Sequence, residues 1–261
     1  MTWMDTAAEL RGARVPAVLV TLASVRGHAP REAGAKMIVT ADGLHGTIGG
    51  GNLEMTALTR ARELLDAEAR APEMLTLRLN DKAPAKYGRQ CCGGEVNLLL
   101  EPLPVPAAVA IFGVGNIGLE LARILSRHDI DLHLSDSRPE LLAELDRLEA
   151  GVANIARSFS MVGEEVLVGL PAGTHVLIMT HDHAEDLHLC DAALRRGDLG
   201  SIGLIGSSAK WQRFRKNLIA DGHEPALVDT IDCPIGLPEL TGKSPATIAL
   251  SVAAKLISTM G

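Results

Sequence analysis

Apolar positions along the chain fall into short runs, some continuous or alternating as in strands, others spaced as on one face of a helix. Val15 to Ala23 is an uninterrupted apolar strand. Lys36 to Thr40 and Leu44 to Ile48 predict a hairpin, with Ala41-Asp42-Gly43 between them and the Asp-Gly pair as the turn signal. Leu53, Ala57, Leu58, Ala61, Leu64 and Leu65 recur at helical spacing, and Met74 to Leu79 and Val96 to Leu100 read as further strands. Past Pro104 and Pro106 the pattern changes. Val109 to Phe112 is wholly apolar, as suits a parallel strand covered on both faces. Ile117, Leu121, Ile124 and Leu125 follow at helical spacing, then Ile130, Leu132 and Leu134 alternate in a second strand. Pro139 to Leu148 predicts a helix, Thr174 to Met179 and Ile202 to Gly206 predict strands, and Ser244-Pro245 opens a last helix with Ile248, Ala249, Val252, Leu256 and Ile257 inward. The fold class is therefore α/β. An N-terminal α/β domain over residues 1–103 precedes a Rossmann-type domain with a mostly parallel sheet over 107–261, whose final helix is expected to pack back on the junction.

Composition narrows the partners. Hydrophobic residues make up 47% of the 261 positions but aromatics only 2%, so both cores must be aliphatic. A net charge of -7 with no basic stripe argues against nucleic acid as a partner. No apolar run approaches the length of a membrane span, and Met1 to Asp5 lacks the basic and apolar regions of a signal peptide, so a cytoplasmic protein without membrane contact is expected. Cys91, Cys92, Cys190 and Cys233 show no Cys-x-x-Cys spacing, and neither structural zinc nor disulfides are expected.

The candidate chemistry sits in the glycine turns. Gly113, Gly115 and Gly118 link the apolar strand to its helix as in a dinucleotide turn, with Asn116 at the helix start and Asp136 where a ribose-binding acid would stand. The free amides there favour a phosphate-bearing ligand, and glycines kept for packing are the plain alternative. Gly49-Gly50-Gly51 opens the earlier helix, followed by Asn52 and Glu54, and weighs toward an anion nest because three glycines in a row oppose folding. Arg26, His28 and Arg31 either hold an anion or form solvated surface. Cys91 and Cys92, between Gln90 and Gly93-Gly94 and near Arg89, are read as a reactive thiolate, a sulfur ligand or a close ligand contact, against two small buried hydrophobes. Thr180, His181 and Asp182 end a strand and should face Gly113 to Gly118, for hydrogen bonding or acid–base work; a metal held by His181 and His183 is disfavoured. Gly206, Ser207 and Lys210 form a third candidate anion site.

Taken together, Gly27-His28-Ala29-Pro30-Arg31, Gly46 to Glu54, Gln90 to Gly94, Asp136-Ser137-Arg138, Thr180-His181-Asp182 and Pro234 to Leu237 resemble the XdhC/CoxI family over nearly the whole chain. The resemblance implies an accessory protein in purine catabolism rather than an enzyme. Such a chaperone binds the molybdenum cofactor (molybdopterin), protects it while a cysteine desulfurase supplies the terminal sulfur, and inserts it into apo xanthine dehydrogenase. It makes Cys91 and Cys92 the candidate contacts to molybdenum or sulfur; where relatives carry Cys in the Gly-Gly-Gly-x-Leu-Glu segment, this chain has Asn52. Self-association into a homodimer and a nucleotide at the Rossmann turn are left open. An NAD(P)-dependent oxidoreductase is the main alternative, favoured by Asp136 and by Arg138, which would meet a 2′-phosphate; an adaptor between desulfurase and dehydrogenase is the other. The short Pro104-Pro106 linker leads to the expectation that both domains close over a shared cleft.

Overall fold

The computed structural model describes residues 2–79, 93–149 and 151–260. The chain divides into two compact units, Met1–Val105 and Pro106–Gly261. In the first, α1 (Trp3–Gly12) precedes β1 (Ala17–Arg26), β2 (Lys36–Val39), β3 (Leu44–Gly46), α2 (Gly51–Asp66), β4 (Glu73–Arg78) and β5 (Glu95–Leu103). The strands form an antiparallel sheet in the order β3-β2-β1-β5-β4. β1 is apolar at successive positions because both its faces are covered. Val18, Val20 and Leu22 bury against Leu53, Ala57 and Ala61 of α2, while Ala17 and Leu19 meet Ala7 and Leu10 of α1. Each such valine or leucine contributes roughly 1.5–3 kcal/mol. The apolar pattern does not reveal α1, whose one buried residue is Thr6; its start is instead fixed by a capping box between Thr2 and Asp5.

The second unit runs β6 (Ala107–Phe112), α3 (Asn116–Leu125), β7 (Ile130–Asp136), α4 (Pro139–Ala143), β8 (Asn154–Phe159), α5 (Gly163–Val168), β9 (His175–Ile178), α6 (His183–Arg196), β10 (Ser201–Leu204), α7 (Ser208–Ala220), α8 (Pro225–Val228) and α9 (Pro245–Met260). Its five strands are parallel in the order β10-β9-β6-β7-β8, so strand order reverses between β6 and β9, the place where such sheets leave a crevice. Alternation along β6 sorts the layers. Val109 and Ile111 pack with Leu121 of α3 and Val252 of α9, whereas Ala110 and Phe112 pack with Leu189 of α6 and Phe214 of α7. Asp232 pairs in parallel with Gly203 and lengthens the sheet beyond β10.

Two departures from the sequence pattern have local causes. The helix expected over Pro139 to Leu148 is α-helical only to Ala143 and continues as a 3₁₀ turn over Glu144–Arg147, whose tighter winding suits the buried pair Leu142 and Leu145 three positions apart. The edge strand β8 is largely exposed and lacks the apolar run that betrays its neighbours. No described helix is long and apolar enough to cross a membrane.

Candidate functional site

In the first unit, the hairpin enters α2 through Gly49, Gly50 and Gly51, all at positive φ (128°, 75° and 63°), which only glycine adopts freely in succession. Glu54, from the first turn of α2, reaches back over this turn. Its carboxylate accepts from the Gly50 N–H at 3.1 Å, the Ile48 N–H at 3.3 Å and the Thr47 hydroxyl, and Thr47 Oγ1 in turn accepts from the Gly49 N–H at 3.1 Å. Some donors of the nest are thus filled by the chain's own anion. Glu54 is placed to hold the turn in shape.

The loop after β1 comes to the same turn, and Gly93 and Gly94 come to that loop. A Cβ at Gly49 would lie 2.5 Å from Pro30 Cγ and 3.5 Å from Arg31 Cγ, so the loop after β1 rests directly on it. That loop also meets Gly93 and Gly94: His28 bridges Gly93, and a Cβ at Gly94 would fall 2.2 Å from the His28 carbonyl oxygen. By contrast, a Cβ at Gly50 or Gly51 would meet nothing within 4 Å. Arg31 is exposed and Asn52 half-buried. Gln90, Cys91 and Cys92 lie outside the described residues.

In the second unit, Gly113 (φ 100°) and Gly118 are required by close approach. A Cβ at Gly113 would stand 2.3 Å from the Met179 carbonyl oxygen and 2.8 Å from Thr180 Cα, and one at Gly118 would stand 2.2 Å from the Gly113 carbonyl oxygen. The turn after β6 and the one after β9 therefore touch, bringing Gly113 to Thr180 as the sequence suggests. Gly115 has open space around it, and exposed Asn116 begins α3 without a side-chain cap. Asp136 is almost wholly buried; it accepts from the Val114 N–H at 2.7 Å and is gripped by Arg138, whose Nε and Nη2 donate at 2.9 and 3.0 Å. Burial alone would push this carboxyl up, but the hydrogen bonds from Arg138 and Val114 outweigh it and hold the group below the usual carboxylate range.

The rest of the strand-end cluster is tied together by a residue that the sequence pattern does not single out. Asp186, fully buried, accepts from the Thr180 N–H at 3.0 Å and hydroxyl at 2.8 Å, and pairs with Lys210 at 2.5 Å. Lys210 also donates to the Ile205 carbonyl at 2.9 Å, and Ser207 Oγ accepts from the Lys210 backbone N–H. The cation and hydroxyl of the Gly206-Ser207 turn are thereby engaged within the protein. The signal for Asp186 was an acid on the stripe otherwise made by Leu189, Cys190 and Ala193. Asp182 caps α6, accepting from the Ala184 and Glu185 N–H groups, which hold its carboxyl below the usual range, and His181 is exposed. Burial, with the charges of Asp186 and Asp136, pushes the neighbouring Glu185 carboxyl up. Cys190 is buried and Cys233 half-buried, its thiol pushed up to about 11, so both are held as thiols. Among the described residues no His, Cys, Asp and Glu cluster could hold a metal ion.

An antiparallel sheet unit with a glycine turn ahead of its main helix, followed by a Rossmann unit, defines a two-unit α/β architecture. Residues 109–256 match the model of the XdhC Rossmann domain, and residues 10–78 match that of the XdhC and CoxI family. The chain belongs to the XdhC/CoxI family. It is similar to YqeB of Escherichia coli K12, named as uncharacterized, at 25% identity over 259 residues, taking in 98% of this chain and 46% of that one. The chain thus spans about half the length of this curated relative. A crystal structure from Bacillus halodurans, named as a xanthine dehydrogenase, shares the fold with a TM-score of 0.50 at 20% identity, over 99% of this chain and 96% of that one.

Proposed function

We propose that this chain is a xanthine dehydrogenase accessory protein that holds the molybdenum cofactor in its N-terminal unit, keeps it during sulfuration by a cysteine desulfurase, and delivers it to the apo-dehydrogenase. The observation that supports this most is the run of close approaches in which Gly93 and Gly94 meet the loop after β1 and that loop, through Pro30 and Arg31, rests on Gly49, with open space at the Cβ positions of Gly50 and Gly51. Such a cradle, which any Cβ at those two positions would begin to fill, fits a flat polar ring carrying a phosphate. The pterin dithiolene itself carries the molybdenum and its exchangeable sulfur, so the chain need not supply a full ligand set.

The residues then divide the work. Arg31 offers a bidentate fork to the phosphate. Glu54 and Thr47 hold the Gly49 to Gly51 turn in its bound form beforehand, which lessens the ordering that binding would otherwise require. Gly93 and Gly94 let the loop after β1 lie close enough to bring Arg31 to the cradle. Gln90, Cys91 and Cys92 precede these glycines in sequence, and the two thiols suit the soft molybdenum–sulfur edge of the guest. The test is a mass spectrum of the small molecules released on denaturing the chain purified from cells that make the cofactor. A stoichiometric pterin is expected in the wild type, and its loss when Cys91→Ala and Cys92→Ala are combined with Arg31→Ala. A folded preparation free of pterin under those conditions would contradict the assignment.

A further inference from the structure

The carboxylate that would read an adenosine ribose is already occupied. Asp136 has two oxygens with about four lone-pair sites. Four donors use them. Oδ2 accepts from the Val114 N–H at 2.7 Å and Arg138 Nη2 at 3.0 Å, while Oδ1 accepts from the Arg138 backbone N–H at 2.9 Å and Arg138 Nε at 2.9 Å. The Asp136 side chain is 2% exposed, so no incoming hydroxyl reaches it without displacing the guanidinium of Arg138, whose side chain is 33% exposed. A Rossmann turn that holds a dinucleotide keeps its acid free for the ribose 2′-hydroxyl. Around Asp136 the turn is otherwise built as for such a ligand, with Gly113 and Gly118 at their close approaches and open space at Gly115. The shape of the turn is retained; the ribose reader is closed.

We infer that Arg138 is a specificity-determining residue that stands in for the ribose and shuts this crevice to adenine dinucleotides. A 2′-phosphate fares no better. The fork that would grip it is turned onto Asp136. The inference concerns the Rossmann unit, whereas the cofactor proposal rests on the N-terminal unit, so pterin retention and nucleotide binding can fail separately.

Calorimetric titration of the whole chain with ADP-ribose, NADH and NADPH tests it on the wild type, Arg138→Ala and Arg138→Gln. The wild type should give no saturable binding. The Arg138 variants should bind ADP-ribose and NADH, and should prefer ADP to 2′-deoxy-ADP by about tenfold, the worth of one hydrogen bond to a charged acceptor. Adding Asp136→Ala to either variant should abolish that preference. Arg138→Ala strips two donors from a buried carboxylate, so Arg138→Gln, which keeps a donor amide, decides the matter if the alanine variant does not fold. The wild type alone also decides: any weak affinity for ADP should be the same for 2′-deoxy-ADP. Saturable wild-type binding of a dinucleotide, a wild-type preference for the 2′-hydroxyl, or folded Arg138 variants that bind no better than the wild type would each overturn the inference.

Discussion

The two glycine turns that open α2 and α3 look alike in sequence, each leading from a strand through glycines into a helix, yet the structure uses their glycines differently. At Gly50 and Gly51 they supply backbone conformation without any close neighbour, and the carboxylate that settles on the amides of Ile48 and Gly50 comes from Glu54 of α2. At Gly113 and Gly118 they supply clearance for the neighbouring backbone, and the carboxylate comes from Asp136 at the end of the adjacent strand. The first arrangement leaves open space at the Cβ positions of Gly50 and Gly51, next to the Gly49 on which Pro30 and Arg31 rest. The second spends its acid on Arg138. A glycine turn ahead of a helix is thus a place where anions are favoured, and an internal carboxylate can satisfy that preference as well as a phosphate can.

The sharpest way to break the comparison is Gly113→Ala. It would place a methyl 2.3 Å from a carbonyl oxygen at φ 100°, and should destabilise the second unit by roughly 3–5 kcal/mol, read by denaturant unfolding. Lys210→Ala comes next, since it leaves the buried Asp186 unpaired at a loss of about 3 kcal/mol; replacing both partners by leucine and methionine should restore much of it. Glu54→Ala should destabilise the first unit by about 1–3 kcal/mol through the orphaned amides of Ile48 and Gly50, leaving the second untouched. The Asp136 carboxyl sits below its unfolded value of about 3.9, so its contribution is fully present above that pH and is lost as the pH falls through the folded value. Acid unfolding followed from pH 5 downward should therefore begin at higher pH in Arg138→Gln than in the wild type. Gly115→Ala should change stability by less than about 0.5 kcal/mol, because that position has ordinary φ and open space.

Much of this contrast is legible in the sequence only as position. β6 announces itself because burial on both faces makes it apolar, and β7 because Ile130, Leu132 and Leu134 alternate, which places Asp136 at the end of β7 beside the turn. What Asp136 does depends on the side-chain geometry of Arg138, which no periodicity encodes. Glu54 falls one turn into α2, where an acid is equally a helix-favouring surface residue, so its return onto Gly50 is a tertiary fact. Asp186 is hidden for a different reason: an isolated acid on an apolar stripe needs its partner Lys210, from another helix, to make sense. The convergence of Arg31, Gly49 and Gly94 likewise rests on the register of β1 with β2 and β5, which alternation along one strand leaves undetermined.

The proposed role requires that the Gly49 to Gly51 turn, and not the Rossmann turn, hold the cofactor. Pterin retained per chain should be measured for the wild type, Arg31→Ala and Gly115→Val, each purified from cofactor-producing cells and shown to be folded. Arg31→Ala should lose most of the wild-type pterin and Gly115→Val should keep it. Retention in Arg31→Ala together with loss in Gly115→Val would place the cofactor at the Rossmann turn and contradict the account.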